Sequence, residues 1–120
     1  MKRGEVWTVA GGGDYSGKPR PAVILQSDRF SEIDSVTVCL ITSEDVGGFV
    51  ARIAVQPDEH NGLHEPSYLM VDKVTTLRKS RIADRLGVLG TEDMTRLNRA
   101  VVTFLELTIA LRPGPPRAAS

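Results

Sequence analysis

At residue 91 the spacing of apolar side chains changes character. Downstream, Met94, Leu97, Val101, Phe104, Leu105, Thr108 and Leu111 recur at helical spacing, with Glu92, Asp93, Arg96 and Arg99 elsewhere on the wheel. Upstream, the apolar runs are short, rich in β-branched residues and broken by Gly, Pro and Asn. They read as strands over Glu5 to Ala10, Ala22 to Gln26, Val36 to Thr42, Val50 to Val55 and Tyr68 to Val74. In the last of these, Tyr68, Met70, Asp72 and Val74 share one face. Short strands in series followed by one long helix point to a mainly β fold, a small and strongly bent barrel carrying a C-terminal helix.

The helix has its own punctuation. Thr91 is a cap residue, Glu92 and Asp93 suit the N-terminal end of the dipole, Arg112 suits the other end, and Pro113 stops it. Residues 1–112 thus form one domain, and 113–120, with no core-forming side chain beyond alanine, are expected to be a disordered tail. Phe104, Leu105, Leu107, Ile109 and Leu111 make the helix apolar over an arc wider than a small barrel covers, so partner contact, as in a homodimer, is expected.

Charge excludes little here. Fifteen basic and fifteen acidic residues cancel, so no overall field marks a nucleic-acid or anionic-membrane binder, although local patches remain open. Cys39 is the sole cysteine, inside an apolar run, which rules out a disulfide framework and a thiolate cluster. The N-terminus carries Glu5 within a short apolar stretch, unlike a secretory signal, and no run is long enough to span a membrane. A cytoplasmic protein without membrane contact is expected.

Among candidate chemical groups, Arg20 is singular because it sits between Pro19 and Pro21. Proline fixes its own φ and biases the preceding residue to extended backbone, so this arginine has a stiff mount. Thr42 and Ser43 close the third strand, and Ser67 and Asp72 lie around the fifth. An arginine fork with hydroxyl donors at strand ends suits a phosphodiester. Plainer roles are equally compatible with spacing: Thr42 and Ser43 capping a turn, Ser67 starting a strand, Arg20 pairing with a surface acid. Lys73, Arg78, Lys79, Arg81 and Arg85 form a basic run interrupted by Asp84, either a solvated face or the flank of a groove for single-stranded nucleic acid. His60 and His64 beside Glu59 and Glu65 have metal-ligand spacing only on a helix, which Asn61-Gly62 opposes. Gly11-Gly12-Gly13 lacks the lysine and hydroxyl of a phosphate loop, and no nucleophile elbow or Ser-His-Asp order is present. Neither a metal nor a cofactor is expected.

Several segments in order carry a resemblance: Lys2 to Trp7, Gly17-Lys18-Pro19-Arg20-Pro21 with Ala22 to Leu25, Ile41-Thr42-Ser43, Asn61-Gly62-Leu63, Ser67 to Val74, Thr76-Leu77, Lys79 to Ile82, and the long helix. Together they resemble the MazF/PemK family of toxin endoribonucleases. The resemblance implies an SH3-like barrel, dimeric, that cuts single-stranded RNA without a metal, is neutralised by a cognate antitoxin, and binds DNA through the antitoxin complex. It also implies catalytic roles for Arg20 and Thr42, with Asp72 as a further candidate and Lys18, Ser43, Ser67 and Arg78 as substrate-binding residues. Some members carry an Arg-x-Asp in strand five and a histidine in the first loop; here Met70 stands at the arginine position and Gly11 to Lys18 contains no histidine. Two other functions fit such a barrel: a CcdB-like gyrase poison, and a non-catalytic RNA-binding module. The second is disfavoured by the scarcity of stacking aromatics.

Overall fold

The computed structural model describes residues 1–10, 18–45 and 51–107. Six strands lie within them: β1 (Glu5–Val9), β2 (Arg20–Ile24), β3 (Ser35–Thr42), β4 (Arg52–Val55), β5 (Ser67–Arg78) and β6 (Ile82–Val88). One helix follows, α1 (Thr91–Phe104). The strands form one antiparallel sheet in the order β4-β5-β3-β2-β1-β6.

That order forces curvature. β5 and β6 are joined only through Lys79–Arg81, yet β3, β2 and β1 lie between them in the sheet. In a flat sheet the two strands would stand about 19 Å apart. The four residue steps of the link reach at most about 14 Å. The sheet therefore curls on itself, which is the barrel expected from the sequence.

Alternation along the strands builds two cores. Val23 of β2 and Cys39 and Ile41 of β3 face one way, joined by Val6, Leu69, Val71 and the helix residues Met94 and Leu97. Ala22, Ile24, Val36 and Val38 face the other way, with Val9 and the half-buried Trp7, Leu40, Leu77 and Ile82. Leu97 is fully buried, so truncating it to alanine would cost about 2–5 kcal/mol.

β5 is bent in the middle. Cys39 is registered with Val74, and Ile41 with Leu69, so a step of two residues on β3 is met by five on β5. β5 thus bows away from β3 over Met70 to Lys73, an irregularity of the kind that re-aims side chains beside functional sites. On its other side the same stretch takes β4, with Arg52 opposite Met70 and the Val71 N–H donating to Ala51 at 2.8 Å.

Several boundaries differ from the sequence reading. β2 begins at Arg20, because the extended backbone that Pro19 and Pro21 favour already suits the ladder. β5 continues to Arg78 along Ser35 to Val38, with Thr75 half-buried on one face and Thr76 exposed on the other. The basic run thus ends on a strand, β6, which the pattern concealed: it is an edge strand whose one buried residue is Gly87. Gly90, not Thr91, is the N-cap, and Thr91 is the first helical residue.

The helix also ends at Phe104 and does not reach Leu111. Leu107 N–H donates to Val102 at 2.8 Å and Glu106 N–H to Thr103 at 3.2 Å, the closing bonds of a left-handed C-cap. Glu106 takes φ +56° to make them. Val102, Phe104, Leu105 and Leu107 remain about half exposed there. The expected tail, 113–120, and the expected helix end at 108–112 lie outside the described residues. No described helix is long and apolar enough to cross a membrane.

Candidate active site

The sheet register brings the first candidate residues together. Ala22 is paired with Leu40 at the last rung of β2 against β3, and two residues beyond each lie Arg20 and Thr42, which both line one cleft. Arg20 lies beside Val9 on its other flank, and Thr42 beside Tyr68. Side chains two apart on a strand share a face, so Arg20 lies on the face of Ala22 and Thr42 on that of its partner Leu40, the same side of the sheet. Thr42 is 9% exposed, and its Oγ1 accepts the Glu44 N–H at 3.1 Å. That contact is the turn-capping role left open by the sequence. It leaves the hydroxyl proton available as a donor, since a hydroxyl both accepts and donates.

Asp72 enters the same cleft from the bend of β5, and Arg52 enters from the first residue of β4. Arg52 Nε donates to Asp72 Oδ1 at 2.8 Å and Nη2 to Oδ2 at 3.2 Å, a two-pronged ion pair with both side chains under one-fifth exposed. The guanidinium hydrogen bonds hold the Asp72 carboxyl below the ordinary aspartate value, against the opposing effect of burial. A carboxylate so held is a poor proton acceptor near neutrality.

The cleft between these elements measures about 600 Å³. Its walls carry four cations, Arg20, Arg52, Lys73 and Arg81, against two carboxylates, Glu44 and Asp72. On a chain of zero net charge this is a local positive site, and it matches an anionic ligand in sign and a phosphate in the geometry of its arginines. Arg81 is tied to the end of β1: its Nη2 donates to Ala10 O at 3.0 Å, and the Ala10 N–H donates back to its carbonyl at 2.8 Å.

A family model described as PemK-like, MazF-like toxin of type II toxin-antitoxin system matches residues 2–105. The chain belongs to this family. Among its relatives, the probable endoribonuclease MazF of Mycolicibacterium smegmatis is 45% identical over 105 residues, 88% of this chain and 96% of that protein. Endoribonuclease MazF6 of Mycobacterium tuberculosis is 27% identical over 112 residues, 89% and 98% of the two chains. A solved mycobacterial endoribonuclease in complex with its cognate antitoxin superposes with TM-score 0.74 at 23% identity, covering 92% of this chain and 99% of that one. A MazE-MazF crystal structure from Deinococcus radiodurans gives 0.75 at 17% identity, covering 90% and 98%. At such identities these two structures speak for the MazF fold.

Within this MazF-like frame the expected site residues divide. Arg20, Thr42 and Asp72 line one cleft. Lys18 and Ser43 are exposed neighbours of Arg20 and Thr42 and do not line it. Ser67 is buried at the start of β5, where its hydroxyl donates to Glu65 O at 2.8 Å. Arg78 is exposed at the far end of β5. Arg52 is the residue that sequence reasoning missed. Its only signal was the alternation Arg52-Ile53-Ala54-Val55, which sets it on the face opposite Ile53 without revealing that β4 pairs with the bend of β5.

The loop histidines sit in a turn built by their neighbours. The fully buried Asn61 organises their turn, accepting from Asp58 and Leu63 N–H and donating to Gln56 O. Among the described residues no three His, Cys, Asp or Glu side chains converge as metal ligands. Cys39 is buried in the core, and burial, with the Asp72 charge adding to it, pushes its thiol up to about 12.

Proposed function

We propose that this protein is a cytoplasmic toxin endoribonuclease that cuts single-stranded RNA in the cleft holding Arg20 and Thr42. A cognate antitoxin protein neutralises it. The observation that carries the reading is the meeting of Arg20, Thr42 and Asp72, from three strands, in a cleft where cations outnumber carboxylates. A gyrase poison would need no such phosphate-directed constellation.

RNA supplies its own nucleophile. The 2′-hydroxyl gives its proton to water as its oxygen bonds to the adjacent phosphorus, and the bond from phosphorus to the 5′-oxygen breaks with that oxygen taking a proton from water, leaving a cyclic phosphate and a 5′-hydroxyl. Negative charge grows on the phosphoryl and leaving oxygens, and Arg20, permanently protonated, stabilises it there. The Thr42 hydroxyl donates a hydrogen bond to the phosphate, its oxygen held in orientation by the Glu44 amide N–H. Lys18 and Ser43, exposed beside the two catalytic residues, contact the strand beyond the cut. Ser67, buried with its hydroxyl donating to Glu65 O, supports the start of β5 beneath the cleft residues and makes no direct contact with RNA in this reading. The half-exposed apolar end of α1 is where a second copy of the chain docks.

The test compares cleavage of one long single-stranded RNA by wild type, Arg20→Ala, Arg20→Lys and Thr42→Ala, in excess EDTA, with circular dichroism on each variant. Cleavage by wild type without metal is expected, with a loss of about a hundredfold or more in Arg20→Ala and little rescue by lysine. Near-normal cleavage by a folded Arg20→Ala protein, or trapping of gyrase on supercoiled DNA without RNA cleavage, would overturn the reading.

A further inference from the structure

We infer that Arg52 is a second phosphate-contacting arm of this cleft, aimed by Asp72, which acts as a positioning residue and not as the general base. The inference rests on the reading of the cleft as an RNA site. It adds to that reading a binding residue and a role for Asp72.

The geometry begins with the bend. Because β5 bows away from β3 between Leu69 and Val74, Asp72 is turned towards the cleft. β4, paired to the same stretch, delivers Arg52 opposite Met70. Aspartate and guanidinium then meet in the planar two-pronged arrangement at 2.8 and 3.2 Å. Both side chains line the cleft that contains Arg20 and Thr42.

Stability alone is a weak reason for such a pair. A partly buried ion pair roughly breaks even against apolar residues of similar volume, since desolvation offsets the attraction. A fixed guanidinium has a stronger rationale as a preorganised donor. It carries five N–H groups in one plane, and the carboxylate engages two of them along one edge. With the plane set, the guanidinium stands as a fixed cation in the wall of the cleft beside Arg20, and the rotamer entropy of a long side chain has been lost before RNA arrives. Asp72, with its charge matched by Arg52 and its acidity strengthened by the same contact, is unsuited to taking the 2′-OH proton.

Two measurements separate this inference from the parent reading. The first is binding of a fluorescein-labelled single-stranded RNA of mixed sequence with 2′-O-methyl sugars, which cannot be cut, followed over a salt series. Arg52→Ala should weaken binding about tenfold and reduce the slope of log K against log salt by about 0.7, the loss of one phosphate contact to a single strand. Arg52→Lys, which preserves the charge and guards against a folding defect, should retain the slope yet lower kcat, because an ammonium cannot grip both Asp72 oxygens.

The second is a double-variant cycle on cleavage of natural RNA. If Asp72 works through Arg52, adding Asp72→Asn to Arg52→Ala should cost no more than Arg52→Ala alone. An unchanged salt slope in folded Arg52→Ala would overturn the arm. Additive losses in the cycle, or a pH–rate profile whose acidic limb disappears in Asp72→Asn alone, would make Asp72 an independent acid-base group and overturn its positioning role. Failure of the parent reading looks different: wild type cutting no RNA, with Arg20→Ala binding the uncut probe as wild type does.

Discussion

Gly87 of β6 lies against the carbonyl of His60. A Cβ at this position would stand 2.1 Å from the His60 oxygen and 2.7 Å from the Asn61 carbonyl carbon. The next residue makes use of the approach, since Val88 N–H donates to the same His60 oxygen at 2.7 Å. Gly62, at φ +71°, meets β6 from the other side, where its Cβ would fall 2.2 Å from Leu86 O. Gly87→Ala is therefore expected to destabilise the protein by at least about 2 kcal/mol, because both colliding groups are backbone and cannot rotate aside. Urea unfolding reads this as a lower midpoint at unchanged m.

Glu5 predicts a specific acid sensitivity. Burial tends to raise its pKa, but the Lys2 amide, the Trp7 indole N–H and the Arg85 guanidinium all donate to its carboxylate and bring it from 4.5 down to about 2. A depressed folded-state value means stabilisation that is complete above about pH 4.5 and is lost as pH falls towards 2. The loss is expected at about 1–2 kcal/mol, allowing for solvent around Arg85. Thermal melts from pH 6 to pH 2.5 should fall more steeply for wild type than for Glu5→Gln.

The Cys39 thiol, raised to about 12 within the core, should be inert to a thiol-reactive dye in the native protein at pH 8 and react fully in denaturant. Native labelling on the timescale of the denatured control would show that the β3 core opens far more readily than its burial implies.

Glu106 pays a conformational penalty at φ +56° for closing the helix. Glu106→Gly should raise stability by about 0.5–1 kcal/mol, because glycine takes this backbone geometry without steric cost. A drop in Tm would mean that the Glu106 side chain makes a contribution larger than the backbone strain it carries.

Much of this was legible in the sequence, and the failures share a cause. Arg20 and Thr42 could be singled out because their signals are local: a proline mount and a strand end. The five strands first recognised have β-branched, alternating runs. β6 has no such run, because an edge strand with one buried glycine needs little apolar patterning. Arg52 was invisible for a different reason. Its meaning comes from the pairing of β4 with a bend in β5, a relation across twenty residues that leaves no periodicity. Leu105 to Leu107 read as helix because apolar spacing says nothing about a left-handed cap at Glu106.

The two arms of the cleft rest on unequal foundations. Arg20 and Thr42 stand on β2 and β3, each flanked by partners on both sides, whereas Arg52 stands on β4, four residues at the margin of the sheet, with β5 alone as a ladder neighbour among the described residues. Arg96 of α1 reaches over to that margin, its Nη1 donating to Ala54 O at 3.0 Å. Local opening of β4 would thus withdraw one arm while the other stays in place, and amide hydrogen exchange should resolve them as separate units, with Ile53 and Val55 exchanging through a smaller opening free energy than Val23 and Cys39.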